Sequence, residues 1–284
     1  MLVIVGILVV IGAVIGGYLL EHGHLILLWQ PAEVVIIGGA ALGTLLIANP
    51  PIVVKKIIAG ILGTLKGSKY TKQLYLDTLK LIYQLFSSAR KNGATKLEAD
   101  IETPSSSDVF SAYPKIVADH HALDFMCDTL RMYVSSGTEP FMLDQMMELD
   151  VEVHHSEAHT PISSLTTVAD SLPGLGIVAA VLGIVITMSS LGGPPEELGH
   201  KVAAALVGTF LGILLCYGFL SPIAGSMGKM ADSESQYLNV IRVGVIAYAK
   251  GNAPILCAEF ARRAIPHSVR PSFKEMETAC RGGS

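Results

Sequence analysis

The sequence predicts an all-α, polytopic membrane protein, with four transmembrane helices and a helical cytoplasmic domain. Three observations predict it. Of 284 residues, 51% are hydrophobic and only 15% are charged, and mean hydropathy is positive, whereas soluble domains carry roughly 25% charge. Charge is also unevenly placed: long runs hold no Asp, Glu, Lys, Arg or His, and other stretches are ordinarily polar. Finally, the polar stretches repeat apolar residues every three or four positions and show no β-type alternation.

A helix needs roughly 20 apolar residues to cross the hydrocarbon. Taken in order, Leu2 to Leu20, Val34 to Ala48, Ser171 to Leu191 and Val202 to Ser226 qualify or nearly do, and none contains an ionisable side chain. The first has no basic segment before it and is too long for a signal-peptide core, so it reads as a retained anchor. The second is short, bracketed by Pro31 and Pro50 as helix start and stop.

Lys and Arg orient these spans. Residues 21–33 contain no Lys or Arg and 192–201 contain only Lys201, whereas 51–170 contain 11 and 227–284 contain 8. The amino terminus, the segment 51–170 and the tail 227–284 are therefore expected in the cytoplasm. The two short loops, with Glu21, Glu33, Glu196 and Glu197, face outward. The resulting divisions are 1–50 (spans at 2–20 and 34–48), 51–170 (cytoplasmic), 171–226 (spans at 171–191 and 202–226) and 227–284 (cytoplasmic helical tail).

Within 51–170, KQLYLDTLKLIYQLFSSARKNG places Tyr75, Leu79, Ile82, Tyr83, Phe86 and Ala89 on one helical face, and Asn92-Gly93 stops the helix. Further on, PSSSDVFSAYPKIVADHHALDFMCDTLRMYV continues the spacing from a start that Ser107 can cap. A compact bundle of several helices is expected. Cys127, Cys216, Cys257 and Cys280 form no CxxC pair, which suggests neither a disulfide framework nor a zinc site. His155 and His159 in EVHHSEAH share a helix face near Glu152, but no third ligand is supported and no metal is expected. No phosphate loop or nucleophile elbow appears, so an enzyme is not expected, nor is a nucleic-acid partner.

GxxxG spacings at Gly12/Gly16, Gly39/Gly43 and Gly208/Gly212 let helix backbones approach closely, within a subunit or between subunits. With no charge inside the spans, any group that binds and releases protons must come from another chain. Counted from the expected ends of their spans, Pro173 and Pro222 fall at one cytoplasmic level, which suggests two loosened helices forming a hinge or gate. A proline in a first turn also sits there at little cost. Pro173, Ala180 and Thr187 lie seven residues apart and form a stripe expected to face a partner, with Thr209 level with Thr187.

ADSLPGLGIVAAVLGIV, VGTFLGILLCYGFLSPIA, EVHHSEAHTPISSLTTV and SSARKNGATKLEADIETPSSSDVFSAYP resemble the flagellar-stator A subunits of the MotA/TolQ/ExbB proton-channel family, and the match covers nearly the whole chain. The resemblance implies a ring of five such subunits in the bacterial inner membrane. The ring encloses two MotB-like B subunits, each supplying an ion-binding aspartate. It makes Pro173 and Pro222 the coupling prolines, and Arg90 and Glu98 the contacts to a FliG-like rotor switch protein. Thr209 matches a hydroxyl position of the family, while Ala180 stands where sodium-driven members carry threonine. The implied coupling ion is the proton, with no other cofactor. A TolQ/ExbB-type energiser, a sodium-driven stator, a secondary transporter and a passive scaffold are the competing readings. The first has three spans, and the transporter would need an internal repeat and a polar mid-membrane site that this sequence lacks.

Overall fold

The computed structural model describes residues 2–189, 192 and 194–282. Its helices are α1 (Leu2–Leu20), α2 (Pro31–Ala48), α3 (Pro51–Lys66), α4 (Lys72–Asn92), α5 (Ala94–Glu102), α6 (Asp108–Ser111), α7 (Pro114–Val117), α8 (His120–Ser136), α9 (Pro140–Met188), α10 (Pro195–Ile213), α11 (Ser221–Ala249), α12 (Pro254–Ala264) and α13 (Phe273–Arg281). Short 3-10 turns precede α2 and α6, a π-helical stretch Leu214–Leu220 joins α10 to α11, and no strand occurs among the described residues.

The chain divides into two compact units, Met1–Gly67 with Ala158–Met230, and Ser68–Glu157 with Ala231–Ser284. The first holds the apolar helices. Four helical stretches are long and apolar enough to cross a membrane: Leu2–Leu20, Leu25–Ala48, Pro140–Met188 and Pro195–Ala249. α1 buries none of its residues against the rest of the chain, as suits a helix whose solvent is lipid. Pro31 takes the first position of α2, where its missing N–H costs nothing, and Asn49 and Pro50 are extended and separate α2 from α3. The bracketing expected from the sequence is therefore present.

The helices extend past the expected spans. The helix that holds the second span begins at Pro31, as the bracketing predicts, and this places Glu33 in the first turn of a helix and not in the expected loop. The helices that hold the third and fourth expected spans continue past Asp170 and Ser226: α9 runs unbroken from Pro140 and α11 continues to Ala249. Hydropathy falls at 170 and 226, but helical hydrogen bonding does not stop there. The last expected residues of the third span, Ser190 and Leu191, lie outside the described residues.

The second unit is a helical bundle built around α4. Thr71 caps α4 by accepting from the Leu74 N–H, and Gly93 ends it at φ +85°, a left-handed conformation that favours glycine. Tyr75, Leu79, Ile82, Phe86 and Ala89 are buried as their spacing requires, and Tyr83 packs at the edge. α12 and α13 lie against α4, and α5 lies against α8. Phe86 stacks on Tyr248 with ring centroids 4.0 Å apart, and Thr78 and Tyr237 share a buried hydroxyl hydrogen bond of 2.9 Å. α13 starts with a capping box, Ser272 with Glu275, and Lys72 ties it to α4 through a 2.7 Å ion pair with Glu275. All four cysteines are buried free thiols.

Candidate functional site

Glycine sets the register between α9 and α10. A Cβ on Gly212 would fall 2.5 Å from the Leu172 carbonyl oxygen, and one on Gly176 2.7 Å from that of Gly208. One on Gly208 would fall 3.2 Å from the Ala180 nitrogen, and one on Gly183 2.9 Å from the Ala205 methyl. The two backbones therefore touch along the whole run. Gly208/Gly212 is the GxxxG pair used inside the chain; Gly12, Gly16, Gly39 and Gly43 have open space beside them.

This register overturns the levelling of the two prolines. Pro173 sits beside Gly212, whereas Pro222 lies ten residues further along, on the order of 15 Å by helical rise. Span ends inferred from hydropathy are not level marks when the helices continue past them. The neighbourhood of Pro222 is the buried cluster of Val53, Ile57, Leu165, Ala224 and Met227, packed with Ile162 and Ile223. The proline of α9 adjoining that cluster is Pro161, which the sequence reading passed over although it too lies inside α9. Here Ser164 donates a 2.6 Å hydrogen bond to Asn49, whose amide in turn caps the Leu45 carbonyl.

Each proline has a local consequence. Pro173 has no N–H to offer the carbonyl of Ala169, four residues back, and Ala169 is fully buried, so that acceptor persists against protein. Ahead of Pro222 the helix widens into the π stretch, where the Ser221 N–H reaches back five residues to the Cys216 carbonyl. Such widening is rare and frequently marks functional positions. Nothing in the sequence pattern signalled it beyond the proline itself. Gly218 within it lets α1 approach, since a Cβ there would lie 3.2 Å from Val10.

The expected stripe is also placed differently. Ala180 and Thr187 are 7% and 1% exposed, covered within the subunit instead of facing outward, and Pro173 is half-buried. Thr187 donates its hydroxyl to the Gly183 carbonyl at 2.8 Å, the back-bonding common to membrane threonines. Thr209 lies beside Gly176, deeper than the level of Thr187, and its hydroxyl has no hydrogen bond among the described residues. The surface α9 does present is apolar: Ile177, Val178, Val181 and Val185.

In the second unit, Arg90 lies in the last turn of α4 and Glu98 lies on α5, both exposed and without ion pairs among the described residues. Asp100, 1% exposed, accepts from Ser107 at 2.8 Å and from Lys96 at 2.9 Å, while Ser107 caps α6 as expected. The two charges stand exposed on adjoining helices.

Of the histidine cluster, His155 pairs with Ser235 at 3.0 Å and Glu152 is exposed. Among the groups that converge, the ligand atoms of His121, His154 and Glu234 lie within 4.8 Å of one another. Lys69 reaches Glu234 at 3.8 Å and Asp119 at 2.8 Å. A cation already stands at that carboxylate, which makes the group an ion-pair network.

Residues 4–93 match the family described as Motility protein A N-terminal, and residues 118–239 match the MotA/TolQ/ExbB proton channel family. The chain is 44% identical over 277 residues to Motility protein A of Salmonella typhimurium, spanning 98% of this chain and 94% of that one. It is 36% identical to Chemotaxis protein LafT of Vibrio parahaemolyticus, over 96% and 95% of the two chains. Among solved structures, it is similar to a chain of the flagellar MotAB stator complex from Bacillus subtilis, with TM-score 0.75 and 26% identity over 94% and 96% of the chains. The C. jejuni MotAB structure shares the fold, with TM-score 0.78 at 18% identity over 95% and 98%.

Proposed function

The chain belongs to the motility protein A branch of the MotA/TolQ/ExbB proton channel family, and from that membership we propose how it works as a stator subunit of the flagellar motor. It is a membrane ion-channel protein, not an enzyme. It assembles in the bacterial inner membrane with a MotB-like B subunit, with both termini and the second unit in the cytoplasm. Five copies form a ring around two B helices, each bringing an aspartate that the apolar faces of α9 and α10 do not have.

The observation that carries this reading is the end-to-end match to Motility protein A, coupled to spans that present apolar surface and no paired carboxylate. Proton flux through the complex moves the ring around the B dimer. Pro173 and the π stretch before Pro222 supply two loosened places at different depths of the α9–α10 pair, so strain entering at one is passed along a glycine-tight seam to the other. Arg90 and Glu98 carry the motion to a FliG-like rotor protein. Exposed ion pairs are worth about 0–1 kcal/mol each but set encounter and register, which suits an interface that must release at every step.

The coupling ion is the proton. Sodium binding needs several oxygens to replace its water, and alanine at 180 leaves Thr209 as the free hydroxyl of this seam. Deletion of the gene should abolish swimming while filaments remain, and the restored cells should swim in sodium-free medium with the cognate B subunit. Swimming that stops without sodium and returns with it would reverse the ion assignment; intact swimming in the deletion would remove the stator role.

A further inference from the structure

Glu33, expected from the sequence in an outward-facing loop, is the charge-bearing side chain that the structure puts inside the packed apolar helices. It is 6% exposed, and its Oε2 has no hydrogen-bond partner. It occupies the third position of α2 and lies against the seam of α9 and α10. The seam is cut to receive it. A Cβ on Gly208 would fall 2.5 Å from Oε2, and one on Gly183 3.6 Å from Oε1. Two glycines thus leave open the volume that the carboxyl fills, while Ala205 closes the remaining side of the seam.

Among the described residues, no cation pairs with it. α2 carries no ionisable residue after Glu33, α9 carries none from Ser171 to Met188, and the 3-10 turn Leu25–Leu28 is uncharged. On α10 the ionisable groups are Glu196, Glu197, His200 and Lys201, and Lys201 is held by Glu197 at 3.1 Å. Before the turn stand Glu21, His22 and His24 in the connecting loop. A carboxylate desolvated without a partner costs several kcal/mol, whereas the neutral acid costs far less. An ionisable residue in such a place is by default a functional group. Gly183 is five residues from the last residue of α9, so the carboxyl lies about 7 Å by helical rise from the end that the charge distribution places outside.

We propose that Glu33 is a proton-binding site of the A subunit itself, a carboxyl kept in its acid form in a glycine cradle near the outer mouth. This rests on the stator reading only for the meaning of the proton; the binding stands on the packing. The ligand is a proton, since a metal ion would need further oxygens that the apolar cradle does not offer.

The test is infrared difference spectroscopy on the purified complex with its B subunit, in H₂O and D₂O, comparing wild type with Glu33→Gln across a pH titration. The expected result is a protonated-carboxyl band at neutral pH that shifts in D₂O, disappears on alkalinisation and is missing in Glu33→Gln. Gly208→Ala, which puts a methyl where Oε2 sits, should push the carboxyl out and move the loss of the band to lower pH. A carboxylate ionised at neutral pH in wild type, or spectra unchanged by Glu33→Gln, would overturn the proposal. Neither readout needs rotation, so a complex that shows the band and drives no motor would refute the stator reading and leave Glu33 in place.

Discussion

Glu234 shows how single charges are fixed in the second unit. It lies between His154, 3.5 Å away, and Lys69, 3.8 Å away. The His154 ring facing it lowers its carboxyl below the ordinary range, burial works against that, and the Lys69 charge adds to the lowering. A value depressed on folding contributes stability above the unfolded value, about 4.3 for glutamate, and the contribution is lost as pH falls through the folded value. Glu234→Gln should therefore lower the thermal stability of the complex at neutral pH by about 1 kcal/mol, with the difference vanishing in acid; an equal loss at both pH values would mean the effect is steric. Arg90 is the opposite case. It is exposed and unpaired, so Arg90→Glu should leave stability within about 0.5 kcal/mol yet cut motor torque, with partial rescue by a reversed charge on the rotor. No rescue across a panel of reversed rotor charges would exclude direct contact. Arg90 and Glu98 became visible as candidates only through family resemblance, because a solvated charge beside a glycine turn has no local signature. Glu33 was misplaced for a related reason: a charged residue next to a proline reads as loop until the glycines facing it are known.

Helices were legible where they end in a chemical stop. Thr71 and Gly93 delimit α4, and Pro31 and Pro50 bracket α2, because caps and prolines act on the backbone locally. The continuity of α9 and α11 was not legible, since hydropathy changes at Asp170 and Ser226 while the backbone has no reason to stop. The depth of Pro222 followed that error, and only the glycine contacts corrected it. Those contacts make the seam testable. Gly212→Ala would drive a methyl against the Leu172 carbonyl and the Gly176 backbone, neither of which is the mobile tip of a side chain. Overpacking of this kind costs about 1–3 kcal/mol, so the variant should yield less assembled complex on size-exclusion chromatography. Gly225→Ala and Gly228→Ala, with open space at both positions, should assemble as wild type, and equal losses in all three would place the effect in helix propensity instead. Pro173→Leu restores the N–H that Ala169 lacks and stiffens α9 at the level of Gly212; assembly should persist and rotation stop. Normal motility in that variant would remove Pro173 from the coupling step.

At the scale of the whole molecule, the first unit has more apolar surface than one chain can use. α1 buries nothing against its own chain, α9 turns Ile177, Val178, Val181 and Val185 outward, and α10 adds Val202, Leu206 and Ile213. Lipid can cover part of this surface. It does not account for Gly39 and Gly43 on α2 or Gly12 and Gly16 on α1, whose faces have room for a neighbouring backbone and in membranes serve close helix association. Within one chain α10 packs against both α9 and α2, and the glycine faces of α1 and α2 stay open, as a neighbouring copy in the proposed ring would need. The proposed ring would have no free end, and a lumen lined by apolar side chains would concentrate titration on whatever carboxylate the partner brings. Native mass spectrometry of the complex purified with its B subunit should give five copies of this chain and two of the partner, and a charge-neutral substitution of the partner's membrane aspartate should leave that count unchanged while abolishing proton flux. A mass corresponding to equal numbers of the two chains would rule out the enclosing ring, because a partner present in the same number cannot sit inside a closed circle of the others around a two-fold core.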